Sequence, residues 1–230
     1  MKPTRVLIAD DHEVVRQGIR IVVQSSPHFE ICGEVSDGRQ AVQAAAQLKP
    51  DIVVIDIGMP QLNGLDATRQ IVQHDRKVKV LVLTMHESEQ IVRDVLAAGA
   101  RGYLLKSDAG RDLIAALEAL ASKKTFFTSK IAEIVLETYL KKRAPEQTPK
   151  DVLTSREREV VQLLAEGKST KEVAVALGLS VKTAETHRSN LMRKLAIHSV
   201  SQLVLYAVRN NIVQVVPSPG ETTGGSGGTA

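Results

Sequence analysis

Short apolar runs punctuate the first half of the chain at Arg5–Asp10, Glu30–Val35, Ile52–Asp56, Val78–Thr84 and Gly102–Leu105. Between them lie amphipathic segments near Glu13–Gln24, Gly38–Gln47, Gly64–Gln73, Ser88–Ala98 and Ala109–Ser122. The run Ile52-Val53-Val54-Ile55 is apolar at every position, as expected of a strand covered on both faces. Regular alternation of such strands with helical patterns predicts an α/β fold, a parallel sheet with helices on both sides.

Polar residues close four of these runs. Asp10 and Asp11 follow Arg5–Ala9, Asp56 ends Ile52–Ile55, Thr84 ends Val78–Leu83, and Lys106 follows Gly102–Leu105. Open α/β sheets bind ligands in the crevice at the carboxyl ends of their strands. Three carboxylates, a hydroxyl and an amine are therefore expected at one sheet edge. Carboxylates at close range repel, so the cluster calls for a cation. Ligands that are all oxygen select a hard one, and Mg2+ fits best.

The second half is helical by pattern. In the connector, residues 123–150, Ile131, Ile134, Val135 and Leu136 predict a helix, and Ala144-Pro145 to Thr148-Pro149 predicts a polar linker. Thr154-Ser155-Arg156-Glu157 is a capping-box sequence ahead of Val160, Val161, Leu163 and Leu164, and Gly167 ends that helix. Ser169-Thr170-Lys171-Glu172 is a second capping box, opening Val173–Leu177. Gly178 supplies a tight turn, Ser180 caps a helix over Val181–Leu195, and a last helix spans Val200–Asn210. Two helices joined by a short glycine-containing turn predict a helix-turn-helix.

On Val181–Leu195, Ala184, His187 or Arg188, Leu191 and Leu195 recur at helical spacing and should face the core. The opposite face presents Lys182, Glu185, Thr186, Ser189 and Arg193, and in this motif such a face enters the major groove. Lys182, Thr183 and Arg193 suit phosphates. Glu185 can accept from a cytosine amino group, and Thr186 and Ser189 can reach bases or backbone. Arg188 lies at the edge of the apolar stripe and is the seventh candidate for DNA contact. The tail, residues 214–230, carries Gly-Gly-Ser-Gly-Gly and is expected to be disordered.

Charge sharpens this division. Residues 1–121 hold 14 Lys and Arg against 16 Asp and Glu, a net −2; residues 148–213 hold 10 against 6, a net +4. An acidic first half and a basic second half fit a regulatory unit joined to a nucleic-acid module. No apolar stretch approaches the roughly 18 residues that cross a bilayer. Met1-Lys2-Pro3-Thr4 runs straight into a strand, so no signal peptide is expected. Cys32 is the single cysteine and sits in an apolar run, which favours a small buried hydrophobe. These features predict a cytoplasmic protein with no membrane partner.

The order Asp-Asp, Asp, Thr, Lys at successive strand ends resembles the receiver domain of bacterial two-component response regulators. Asp56-Ile57-Gly58-Met59-Pro60, followed by Asn63-Gly64, is similar to that family's phosphoacceptor signature. This resemblance covers Lys2 to about Ser122. The stretch Leu153–Val160, with Glu172-Val173-Ala174 and His187 to Lys194-Leu195, resembles the LuxR-type DNA-binding domain over roughly Asp151–Val213. The two together resemble the NarL/FixJ class of response regulators.

That resemblance implies a flavodoxin-like, doubly wound sheet of five strands in the order 2-1-3-4-5 over residues 1–122. A linker at 123–150, a small all-α helix-turn-helix domain at 151–213 and the tail at 214–230 complete the expected organisation. Adjacent strands lie about 4.8 Å apart, so Asp11 and Asp56 can share one ion. By resemblance, Asp56 is the phosphoacceptor, and Asp11, Asp56 and the Gly58 carbonyl hold Mg2+, with Asp10 acting through water. Lys106 and Thr84 take phosphoryl oxygens, and Tyr103 follows Thr84 as a switch. The donor is a phosphohistidine on a sensor histidine kinase, and the output is double-stranded promoter DNA bound by a homodimer.

The implied protein is a transcription factor, not an enzyme. Two positions depart from many receivers. Ser107 stands after Lys106 where proline is common, which puts a cis peptide there in doubt. Bulky Met85 follows the switch threonine, where a small residue is common. Two other classes compete. A ligand-controlled regulator with the same DNA-binding domain would leave the acidic strand-end cluster unexplained. A phosphatase of the haloacid dehalogenase kind would need an Asp-x-Asp motif at Asp56 and would leave the helix-turn-helix unexplained.

Overall fold

A computed structural model describes residues 2–85, 88–128, 131–133 and 153–213 of the 230-residue chain. Each predicted strand forms: β1 Thr4–Ala9, β2 Phe29–Val35, β3 Ile52–Asp56, β4 Lys79–Thr84 and β5 Gly102–Leu105. The helices between them are α1 Glu13–Gln24, α2 Gly38–Leu48, α3 Gly64–His74, α4 Glu89–Ala97 and α5 Ala109–Ala121. All strand pairs are parallel, and the order is β2-β1-β3-β4-β5-β6. The sheet thus has six strands where five were expected. The sixth, β6 Phe126–Phe127, lies in the stretch read as linker and pairs with Gly102 and Tyr103.

Strand alternation divides the core in two. Leu7, Val53, Ile55, Val80 and Val82 pack with residues of α2, α3 and α4. Val6, Ile8, Ile52, Val54, Leu81 and Leu83 pack with residues of α1 and α5. The central strand β3 is buried at all five positions, which is why its pattern is continuous and not alternating. Burial of such a side chain contributes about 1.5–3 kcal/mol. Ile131 is buried in the first of these clusters, so the connector begins by packing on the sheet domain. The rest of the predicted linker helix, from residue 134, and the tail from residue 214 lie outside the described residues.

The second unit has four helices among the described residues: α6 Ser155–Ala165, α7 Thr170–Leu177, α8 Val181–Lys194 and α9 Val200–Arg209. Both predicted capping boxes form, Thr154 with Glu157 and Ser169 with Glu172. The Ser169 box starts α7 at Thr170, one turn earlier than the apolar pattern alone indicated. Gly178 ends α7 in the left-handed region at φ +63°, where glycine carries no Cβ penalty. That reversal sets α8 against α7 as the helix-turn-helix requires. Val160, Val161, Leu163, Leu164, Val173, Ala184, Leu191 and Leu203 share one buried cluster. Arg156 Nη2 donates to the Leu177 carbonyl at 2.6 Å, and Lys194 Nζ reaches Glu157 Oε2 at 2.7 Å, tying the helices together.

Candidate functional site

The parallel register brings the polar strand ends together. Ala9 pairs with Ile55, Asp56 with Leu83, and Thr84 with Leu105, so the residues that follow emerge at one edge. Asp10 is 1% exposed, Asp56 5% and Thr84 fully buried. Lys106 opens a 3-10 turn, Lys106–Asp108, directly after β5. Its Nζ lies 2.7 Å from Asp10 Oδ2 and 3.2 Å from Asp56 Oδ2. The two buried carboxylates are thus bridged by one ammonium. The peptide bonds around Lys106 are trans, in keeping with Ser107 at the following position.

Asp11 is the solvent-facing member of the cluster, with 30% of its side chain exposed. Ligand atoms of Asp10, Asp11, His12 and Asp56 all lie within 4.8 Å of one another. Asp10, Asp11 and Asp56 are therefore brought together, and their oxygen donors suit a hard cation. His12 shows no metal-ligand spacing with another His or Cys in the sequence. It instead joins the cluster, with Nδ1 2.8 Å from Asp11 Oδ1, and its N–H donates to Asp10 Oδ1 at 2.9 Å. No spacing motif could have revealed it. Its only signal is adjacency to the acidic pair.

Burial pushes the Asp56 carboxyl above its ordinary range, and repulsion from Asp10 and Asp11 adds to the rise. The nearby Lys106 opposes it. The Gly58 N–H donates to Asp56 Oδ2 at 3.2 Å. The loop carrying Gly58 closes tightly on itself. Gly64 N–H donates to the Ile57 carbonyl, and a Cβ on Gly64 would stand 1.9 Å from the Asp56 carbonyl oxygen. Asn63-Gly64 thus follows Asp56 because only glycine permits this approach.

Tyr103 is wholly buried beside Val82, among the residues on the α2–α4 side of the sheet. Met85, after Thr84, is 70% exposed and does not enter the cluster.

Six of the seven predicted DNA contacts stand on the exposed surface of α8: Lys182, Thr183, Glu185, Thr186, Ser189 and Arg193. Ala184 and Leu191 are buried, as the stripe required. Thr183 is engaged with Ser180, whose oxygen accepts its N–H at 3.1 Å. Thr186 Oγ1 donates to the Lys182 carbonyl at 2.9 Å, and Arg193 Nη2 donates to Asn190 Oδ1 at 2.9 Å. Arg188 differs: it is half-buried, and its Nη1 donates to Thr170 Oγ1 at 3.1 Å. That contact joins α8 to the start of α7.

Residues 6–118 match the response regulator receiver domain family, and residues 151–207 match the bacterial regulatory proteins of the luxR family. The chain is 37% identical over 209 residues to the transcriptional regulatory protein LiaR of Bacillus subtilis, covering 91% of this chain and 99% of LiaR. A structure of the RcsB response regulator of Salmonella typhimurium shares the architecture with a TM-score of 0.56 at 29% identity, over 91% of this chain and 100% of that one. A structure of two RcsB dimers bound to two parallel DNAs gives 0.57 at 27% identity, over 91% and 99%. No helix among the described residues is long and apolar enough to cross a membrane. The chain belongs to the LuxR/NarL family of two-component response regulators, in which a receiver domain is joined to a DNA-binding helix-turn-helix domain.

Proposed function

We propose that Asp56 accepts a phosphoryl group from a phosphohistidine of a partner sensor histidine kinase, and that this controls how the chain binds promoter DNA in the cytoplasm. In the transfer, a carboxylate oxygen of Asp56 forms the new P–O bond as the P–N bond to histidine breaks, and the leaving imidazole takes up a proton. Asp11, Asp56 and the Gly58 carbonyl would hold Mg2+, with Asp10 acting through water; the ion supplies neutralisation of the charge spreading over the phosphoryl oxygens. Lys106 binds one phosphoryl oxygen as a point charge, and Thr84 hydrogen-bonds another. Tyr103, packed beside β4, then holds the rearranged Thr84 segment in place. The observation that carries this reading is the single ammonium of Lys106 set between buried Asp10 and buried Asp56.

For output, α8 enters the major groove, with Lys182, Thr183 and Arg193 on phosphates and Glu185, Thr186 and Ser189 at base edges. Arg188 contributes to DNA binding by fixing α8 on α7, and reaches a phosphate only if its contact with Thr170 opens. The phosphorylated chain acts as a homodimer. Beryllofluoride with Mg2+ mimics the acyl phosphate, and it should double the mass seen by light scattering and raise affinity for a selected DNA site. Unchanged mass and unchanged DNA affinity would reject phosphate control of the output.

The two neighbouring aspartates should separate under titration. Asp10 is buried and held by Lys106, whereas Asp11 is exposed on the open side of the cluster. Loss of a direct ligand weakens a divalent site more than loss of an outer partner. Asp11→Ala should therefore lower Mg2+ affinity more than Asp10→Ala, as read by calorimetry. Equal affinities would contradict the assignment of direct and water-mediated roles.

A further inference from the structure

His12 stands at the N-cap of α1, a place where a short polar side chain usually accepts one of the helix's free N–H groups. Its side chain makes no such bond. The imidazole turns to the carboxylates instead, with Nδ1 2.8 Å from Asp11 Oδ1 and 3.4 Å from Asp10 Oδ1. Two contacts brace the corner that presents it. The His12 N–H donates to Asp10 Oδ1 at 2.9 Å, and Arg16 Nη1 donates to the Asp10 carbonyl at 2.7 Å. The second bond runs from α1 back to the residue that follows β1, so the ring rides on a tied turn.

The spacing suits two ligands of one ion. Donors on adjacent vertices of an octahedral site, each about 2.1 Å from the metal, stand about 3.0 Å apart. The His12–Asp11 separation of 2.8 Å is close to that value. A hydrogen bond has a similar length, so the company of the ring decides. One ligand atom each from Asp10, Asp11, His12 and Asp56 lies within 4.8 Å of all the others. Lys106 pairs with Asp10 and Asp56. Among the described residues, the group paired with Asp11 is the imidazole.

We infer that His12 Nδ1 is a ligand of the divalent ion held by Asp11 and Asp56, and that it opens this site to ions of the first transition series beside Mg2+. The ring binds as the neutral form with its one proton on Nε2. Carboxylate and carbonyl oxygens suit Mg2+, whereas imidazole suits Fe2+, Ni2+ and Zn2+, and affinity rises from Mn2+ through Co2+ to Ni2+. Mg2+ gains little from a nitrogen donor, and a transition ion gains most. His12 thereby sets which ions compete for the place beside Asp56. This rests on the reading of Asp11 and Asp56 as the pair that holds the ion.

The test titrates the full chain with Mg2+, Mn2+ and Ni2+ by calorimetry, as wild type, His12→Asn, His12→Ala and Asp11→Ala. Asparagine places an amide where the ring carries Nδ1, can donate to Asp11, and suits an N-cap. A role confined to hydrogen bonding survives that change, and coordination does not. Both His12 variants should lower Ni2+ affinity by about ten-fold or more, since disturbing even the outer partners of a metal ligand costs that much. Mg2+ affinity should fall far less. Pulsed electron paramagnetic resonance of bound Mn2+ gives a second reading. The wild-type echo should carry modulation from a coordinated imidazole nitrogen. That modulation should be lost in His12→Asn and in Asp11→Ala, and an excess of Mg2+ should remove it. The last two arms separate the acidic cluster from the other histidines of the chain, which holds six in all. The His12 side chain is 57% exposed, so its replacement leaves the core untouched, and the wild-type echo needs no variant. A wild type that binds Mg2+ but shows no nitrogen modulation with Mn2+, or an unchanged preference for Ni2+ over Mg2+ in both His12 variants, would overturn the His12 assignment alone. A wild type that binds neither Mg2+ nor Mn2+ would overturn the reading of Asp11 and Asp56 as well.

Discussion

Lys106→Ala should phosphorylate slowly and should also destabilise the fold. The Lys106 side chain is 9% exposed, and its Nζ meets Asp10 at 2.7 Å and Asp56 at 3.2 Å. Removing it leaves two buried carboxylates facing each other. Breaking a buried pair in this way costs about 3–5 kcal/mol. The transferring phosphoryl group loses a preorganised cation as well, a change worth on the order of 10²-fold in rate. In the proposed site Mg2+ shares the same carboxylates, so adding it should restore part of the stability and little of the rate. Thermal melts with and without Mg2+, beside a phosphorylation time course by mass, separate the two effects. Wild-type stability in chelator together with wild-type rates would show that Lys106 is an ordinary surface lysine.

The second large effect lies on α8. Lys182→Ala should weaken binding to selected and random DNA alike and should flatten the salt dependence by about one unit of slope, as one phosphate contact is lost. Glu185→Ala should change base preference by roughly 1–3 kcal/mol with little change in slope. Both side chains stand on the exposed face of α8, opposite buried Ala184 and Leu191. Neither is held by a neighbour in a way that would stop it reaching a groove. Affinity for both DNAs across a salt series decides between the two behaviours. Wild-type affinity and selectivity in both variants would mean that another surface reads DNA.

The sequence carried the sheet domain almost entirely. A strand such as β3, buried on both faces, must be apolar throughout, and its first polar residue then marks the functional edge. Asp56, Thr84 and Lys106 were legible for that reason. The helix-turn-helix was legible through its caps, because Ser169, Ser180 and Gly178 each solve a specific problem of unpaired backbone groups. The strand β6 was hidden because two residues carry no period, and its place depends on pairing with β5 across a chain reversal. His12 was hidden because an isolated histidine has no spacing to read. Arg188 sat at the edge of a stripe, and the packing of α7 against α8, not the pattern, decided its direction.

The docking face of α6 was the least legible of all. Glu159 and Gln162 on α6, and Glu166 at its C-cap, are polar residues with no local pattern that marks a partner. They are instead paired with Arg39, Asn63 and Gln61, some 99 to 120 residues earlier in the chain. Nothing local distinguishes a glutamine that faces water from one that meets a backbone amide of another domain.

The most direct test of the phosphoacceptor is the mass of the intact chain after incubation with phosphoramidate and Mg2+, measured for wild type and for Asp56→Asn. Wild type should gain one phosphoryl group, and peptide mapping should place it on the segment containing Asp56. Asp56→Asn keeps the size of the side chain and an oxygen to accept from the Gly58 N–H, and it should gain none. Stoichiometric labelling of Asp56→Asn at another residue, or a wild type that takes up no phosphoryl group, would contradict the assignment.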